Sequence, residues 1–149
     1  MEEKKHRTNS EIGEEIGQKL PEDIISALSV NYRYLARGFR ELTISAVRNE
    51  NGIDVAGEAR GLGDFSYHNE THHGITTYEW ENLLDSLYNQ YRFHEWEMNY
   101  LNPEPDLLKG TIWEISVQFP DNHVQKRSGE NAYPDCWAKV NGLFHSLLR

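Results

Sequence analysis

The sequence predicts an α+β domain: a four-stranded antiparallel sheet made of two hairpins, in the order ββαββα, with two helices on one face and a helical segment ahead of it. Three patterns predict it. Thr111 to Phe119 alternates, with Trp113, Ile115, Val117 and Phe119 on one side and Glu114, Ser116 and Gln118 on the other, Ile112 being the exception. Period two in β-branched and aromatic residues marks a half-buried strand. Asn51-Gly52 closes a turn between two alternating runs, a strong hairpin signal. Trp80, Leu83, Leu84, Leu87, Tyr88 and Tyr91 recur at helical spacing, as do Trp137, Val140, Phe144 and Leu147.

Taken in order, residues 1–29 read as a helical appendage to a 30–149 domain. Met1 to Ser10 is charged and polar. Ser10 is a suitable N-cap for a helix carrying Ile12, Ile16 and Leu20, in which Gly13 and Gly17 each cost about 1 kcal/mol relative to Ala. Pro21-Glu22-Asp23 resembles a fresh first turn. Val30 to Gly38 mixes Tyr32, Tyr34 and Leu35 with Arg33 and Arg37 and matches no clean period. Phe39 to Val47 reads as a strand with Leu42, Ile44 and Ala46 on one face, and Ile53, Val55, Gly57 and Ala59 line its return. Gly57 and Ala59 are small, so something bulky is expected across them, Trp113 or a helix aromatic. Gly61 to Ile75 reads as a long connection. Thr76 and Glu79 have capping-box spacing at the start of the Trp80 helix. Phe93 to Tyr100 reads either as a continuation of that helix or as a short edge strand, and Asn102 to Asp106 as a stiff loop. Pro120-Asp121-Asn122 supplies turn chemistry before a polar return strand, His123 to Arg127. Pro134 suits a first helical position.

Composition sets bounds. At 149 residues the chain suits one domain. The apolar fraction of 38% is modest, yet four Trp, eight Tyr and five Phe supply bulk for a core. A net charge of −9 disfavours direct binding to nucleic acid or anionic lipid and admits a basic protein partner. One cysteine, Cys136, excludes an internal disulfide and a site built from cysteine alone. No apolar run approaches the ~20 residues of a membrane span, and no secretory leader is legible, so cytoplasm is the expected compartment.

Little points to catalysis. His68, His72 and His73 lie close in sequence, with Asp64 and Glu70 nearby, and are weak metal candidates; a catalytic zinc site needs three well-held ligands, and here they fall on a stretch read as loop. Glu95 with Glu97, and Glu104 with Asp106, are the carboxylate pairs expected by chance in an acidic chain. No P-loop, nucleophile elbow or dinucleotide fingerprint occurs, so no cofactor is expected. Aromatics are the richer signal. Tyr91, Phe93 and Trp96, with Arg92, Glu95 and Glu97, form a candidate partner-binding patch, because Tyr, Trp and Arg dominate interface hot spots. The competing account packs those rings under the Pro103–Pro105 loop. Ser128 to Pro134 is the most motif-like loop: Asn131 can cap the last helix or accept a left-handed turn, and Gly129 and Asn131 amides could hold an anion at its start.

Gly110-Thr111-x-Trp113, followed by Ser128-Gly129-x-Asn131-Ala132-Tyr133-Pro134 and Trp137, resembles a recurring small domain of Firmicutes and their mobile elements. The resemblance covers about the last two thirds of the chain. It implies a single ββαββα unit and carries no catalytic residue with it.

The leading expectation is therefore a non-enzymatic protein-binding module, in its sharper form a phage- or plasmid-borne acidic inhibitor of a nucleic-acid-binding defence enzyme. The alternatives are a small metal-dependent hydrolase using His68, His72 and His73, and a structural domain that forms a homo-oligomer through its N-terminal helices.

Overall fold

The computed structural model describes residues 22–36, 40–61, 67–102 and 110–149. The expected helix at Ser10–Leu20, Asp64 and the Pro103–Asp106 loop lie outside these residues. A single turn of helix, α1 (Glu22–Ile25), leads into four strands that run as a meander: β1 (Ser29–Ala36), β2 (Arg40–Asn49), β3 (Gly52–Gly61) and β4 (Tyr67–Ile75). Helix α2 (Thr77–Asp85) passes without a break into a π-helical turn, Ser86–Gln90, and then a 3-10 turn, Phe93–Glu95. Strands β5 (Asn99–Leu101), β6 (Thr111–Gln118) and β7 (Val124–Glu130) follow, and α3 (Trp137–Ser146) closes the chain.

The four-stranded ββαββα expectation is overturned. There is one seven-stranded mixed sheet in the order β4-β3-β2-β1-β6-β7-β5, with β5 parallel to β7 and every other pair antiparallel. Among the described residues, two long helices cover one face of it. Two strands, β1 and β4, escape the sequence reading for separate reasons. Strand β1 runs between the two expected hairpins, Tyr32 facing Ile44 on one side and Ile115 on the other. Its alternation of Val30, Tyr32 and Tyr34 is real, but Leu35 on the opposite face blurs it. Strand β4 reads as loop because an edge strand needs little apolar content: His68, Glu70 and His72 face outward, and pairing to β3 comes from the backbone. Of the two readings of Phe93–Tyr100, the short edge strand holds only at its end, where β5 spans three residues, Asn99–Leu101.

Register sorts the side chains. Val30, Tyr32, Ile44, Ala46, Val55, Trp113, Ile115 and Val117 lie on the covered face and are buried. Against them α2 sets Trp80, Leu83 and Leu84, its π-helical extension adds Leu87 and Tyr88, and α3 brings Val140 and Phe144. Each such side chain removed from water contributes about 1.5–3 kcal/mol before entropy is charged against it. The small residues on β3 do make room, as expected, but for Leu148: a Cβ on Gly57 would lie 2.5 Å from its Cδ2. The Thr76–Glu79 capping box forms, with Glu79 N–H donating to Thr76 Oγ1 at 3.0 Å and Thr76 N–H to Glu79 Oε1 at 2.9 Å. Helix α3 starts at Trp137, later than Pro134, which instead accepts a hydrogen bond from Trp137 N–H at 3.0 Å in the preceding turn.

The loop before α3 is a clamp on β6. Asn131 takes the left-handed conformation, φ 55°. Its Oδ1 accepts from Thr111 N–H at 2.8 Å, and Thr111 Oγ1 meets Tyr133 OH at 2.5 Å. Trp113 Nε1 donates to Ala132 C=O at 2.8 Å. This needs a bare Gly129, because a Cβ there would overlap both the Trp113 indole and the Ala132 carbonyl. Gly129→Ala should therefore destabilise by about 1–3 kcal/mol, whereas Gly142→Ala, in α3 with nothing within 4 Å of the new Cβ, should be neutral or stabilising by up to about 1 kcal/mol. Paired thermal melts of the two variants check this; equal effects would contradict the clamp.

Candidate functional site

Between the sheet and α3 lies a cleft of about 330 Å³. Its floor is Tyr32 and Tyr34 of β1, Leu42 of β2 and Ala59 of β3; its roof is Trp137, Asn141 and His145 of α3 with Leu148; Arg40, Glu41 and Tyr67 form the rim. The roof residues fall at spacings of four, four and three, one flank of a helix. That flank lies beside the apolar stripe of Trp137, Val140 and Phe144, and its Trp-Asn-His series was the sequence signal that could have found the site.

The walls are flat and aromatic. Tyr32 stacks with Phe144 at 5.0 Å between centroids and with Trp137 at 6.2 Å. Its hydroxyl donates to Asn141 Oδ1, fixing that amide. Tyr133 packs on Trp137 at 5.2 Å. Burial raises the pKa of Tyr32 well above the ordinary phenol value. Burial first, then a hydrogen bond with Tyr133, raises that of Tyr34. Both stay protonated and act as fixed dipoles. His145 is pushed down by burial and then by the positive charges of Arg40 and Arg149, so it is neutral at pH 7. Among the described residues, Arg40 makes no hydrogen bond or ion pair, while neighbouring Glu41 is engaged by Arg33 at 2.8 Å. The result is a locally positive, aromatic-walled cleft in an acidic chain. A larger hollow of about 390 Å³ beside α1, lined by Ile24, Phe119, Asp121 and His123 among others, is poorer in chemistry; its Asp121 carboxylate is occupied by His123 N–H at 2.9 Å.

The residues nominated from sequence lie elsewhere. In the candidate partner-binding patch, Phe93 is fully buried and so offers no surface, contrary to its place in that set. Trp96 is half-buried, with edge contacts to Phe93 at 5.1 Å and Trp113 at 6.0 Å, and its Nε1 donates to Tyr91 C=O at 2.7 Å. These rings extend the core. Arg92 sits at φ 55° and pairs with Glu95 at 2.5 Å; Glu95 and Glu97 are exposed. Buried Arg127 pins the segment from beneath: it donates to the carbonyls of Trp96 and His94, both at 3.1 Å, and lies 5.4 Å from the Phe93 ring centroid. Sequence reading missed this residue because a buried arginine whose partners are carbonyls leaves no charge pattern. The three nominated histidines do not converge. His68 and His72 lie on the open face of β4, whereas His73 points to the covered side with Nε2 buried and unpartnered. No helix among the described residues is long and apolar enough to cross a membrane.

Compared with protein-family models and with curated proteins, the chain matches none. The Gly110–Trp137 pattern thus brings no family with it, and function has to be argued from the geometry.

Two imidazoles generate a pH prediction. His94 is pushed down mainly by burial, its Nδ1 lacking a partner, and His145 for the reasons above. A histidine whose folded pKa is depressed binds its proton more readily when unfolded, so stability rises with pH across the window between the two values. The urea midpoint should fall as pH drops below about 6.5, and His94→Gln with His145→Gln should flatten that slope. The carboxylates with depressed pKa, Glu58 and Glu79, act at lower pH and do not confuse the readout.

Proposed function

We propose that this chain is a non-enzymatic binding module whose ligand seat is the cleft beneath α3. The observation that carries the reading is Arg40, a guanidinium that has no counter-charge among the described residues, at the mouth of a cleft walled by Tyr34, Tyr67 and Trp137. In a chain of net charge −9, a positive, ring-lined recess favours a small planar anion such as an aromatic carboxylate. Its volume lies at the lower end of ligand-sized sites, about 300–1,000 Å³. The protonation states favour holding over reacting: two phenols keep their protons at neutral pH, and the thiol of Cys136 is pushed up by burial. A cytoplasmic location fits the free thiol.

Isothermal titration with benzoate and indole-3-acetate should give Kd values of about a millimolar or tighter. Arg40→Ala should weaken them about tenfold or more, and benzyl alcohol, which lacks the charge, should not compete. Absence of binding, or equal binding to Arg40→Ala, would remove this reading.

One observation favours a second reading, a protein-binding surface adjoining the Tyr91–Glu97 segment. Met98 and Leu101, at the β5 edge, are 70% and 62% exposed, and large exposed apolar side chains on an edge strand suit a partner. The acidic-inhibitor version rests on net charge alone. On the open face Glu41, Glu58 and Glu114 are matched by Arg33, Arg60 and Lys126, which weakens a phosphate-like array. Met98→Asp with Leu101→Asp should leave the thermal melt nearly unchanged and abolish any salt-sensitive complex with a basic nucleic-acid enzyme; a complex that survives both substitutions would locate its interface elsewhere.

A further inference from the structure

The open face carries a second cluster, independent of the cleft. Strands β3 and β4 pair with Glu58 directly opposite Glu70, Arg60 opposite His68 and Ala56 opposite His72. Two carboxylates facing each other across a strand pair repel, and the neighbours are arranged to answer that. His68 Nε2 lies 2.7 Å from Glu58 Oε2 and 3.3 Å from Glu70 Oε2. His72 Nε2 approaches Glu70 Oε1 at 3.5 Å, and Arg60 touches Glu58 Oε2 at 3.0 Å. One ligand atom from each of Glu58, His68 and Glu70 falls within 4.8 Å of the others.

We infer that Glu58, His68 and Glu70 bind one divalent transition-metal ion of the zinc class, solvent completing its coordination, and clip the edge strand β4 to β3. Bonds of about 2.0–2.2 Å to a tetrahedral ion place its donors about 3.4 Å apart, close to the spacings already present. Coordination replaces the His68–Glu58 hydrogen bond and leaves Arg60 as an outer partner of the Glu58 carboxylate. Two carboxylates balance the charge of a divalent ion, and imidazole nitrogen beside carboxylate oxygen selects zinc-like ions over magnesium or calcium. The donors stand at alternate positions of paired strands, so the backbone ladder holds their spacing in a way that a loop would not. His73, on the opposite face of β4, takes no part. The site lies on an exposed sheet face, away from the cleft's phenols and guanidinium, and its role is structural.

Titration of zinc sulfate into the full, untagged chain should show about one ion per chain. His68→Ala and Glu70→Gln should each weaken it by at least about tenfold, while His123→Ala, at the β6–β7 turn, should not. Zinc should also slow amide hydrogen exchange along Tyr67–Ile75 in the wild type and leave the Glu70→Gln variant unaffected. No heat beyond dilution, or affinity that persists in both His68→Ala and Glu70→Gln, would overturn the inference.

Discussion

Trp113 is the side chain on which the layers of this molecule converge. It is fully buried near the start of β6 and touches Trp137 of α3 at 4.7 Å, Tyr100 of β5 at 5.9 Å and Trp96 at 6.0 Å. Its one polar atom is satisfied by the Ala132 carbonyl. An indole of this size buries much apolar area, and its N–H must be paired once out of water. Both demands fall on the same short loop, which brings a carbonyl up to the ring and leaves no atom beyond Cα at Gly129. With this go the left-handed Asn131 and the Thr111–Tyr133 contact. The Trp113–Trp137 contact ties the same loop to the helix that roofs the cleft.

On the neighbouring strand, Arg127 does for the chain ahead of β5 what Trp113 does for the loop before α3. Its guanidinium lies beneath the chain from His94 to Met98 and is satisfied by carbonyl oxygens. A buried cation so paired orders a segment lacking regular secondary structure. The rings of Phe93 and Trp96 therefore belong to the core, while Met98 and, in the short strand that follows it, Leu101 are exposed to solvent. The molecule thus has distinct surfaces: a cleft that is locally cationic and aromatic, an apolar edge at β5, and a polar open face where charges are paired across strands.

Legibility differed by element for physical reasons. The Thr111–Gln118 strand, the Asn51-Gly52 turn and the Thr76–Glu79 cap depend on neighbours within a few residues, and the structure shows each of them. Strands β1 and β4 depend on partners far away in sequence. Tyr32 has a meaning only once Ile44 and Ile115 flank it, and His68, Glu70 and His72 form a strand only because β3 offers a free edge. Within the sites the same division holds. Glu58 was never associated with the histidines because register, not proximity in sequence, puts it opposite Glu70. Arg40 gains significance from Trp137 and Tyr34, about a hundred residues apart along the chain.

By itself the sequence determined the periods, the caps, the turns and a strongly acidic balance, because these follow from local sterics, side-chain polarity and formal charge. The tertiary structure alone decided how many strands join one sheet, which histidines share a face, which aromatics are core and which cation stands at the mouth of the cleft. Those outcomes depend on pairing and packing between distant segments, whose energies are not properties of any short stretch of chain.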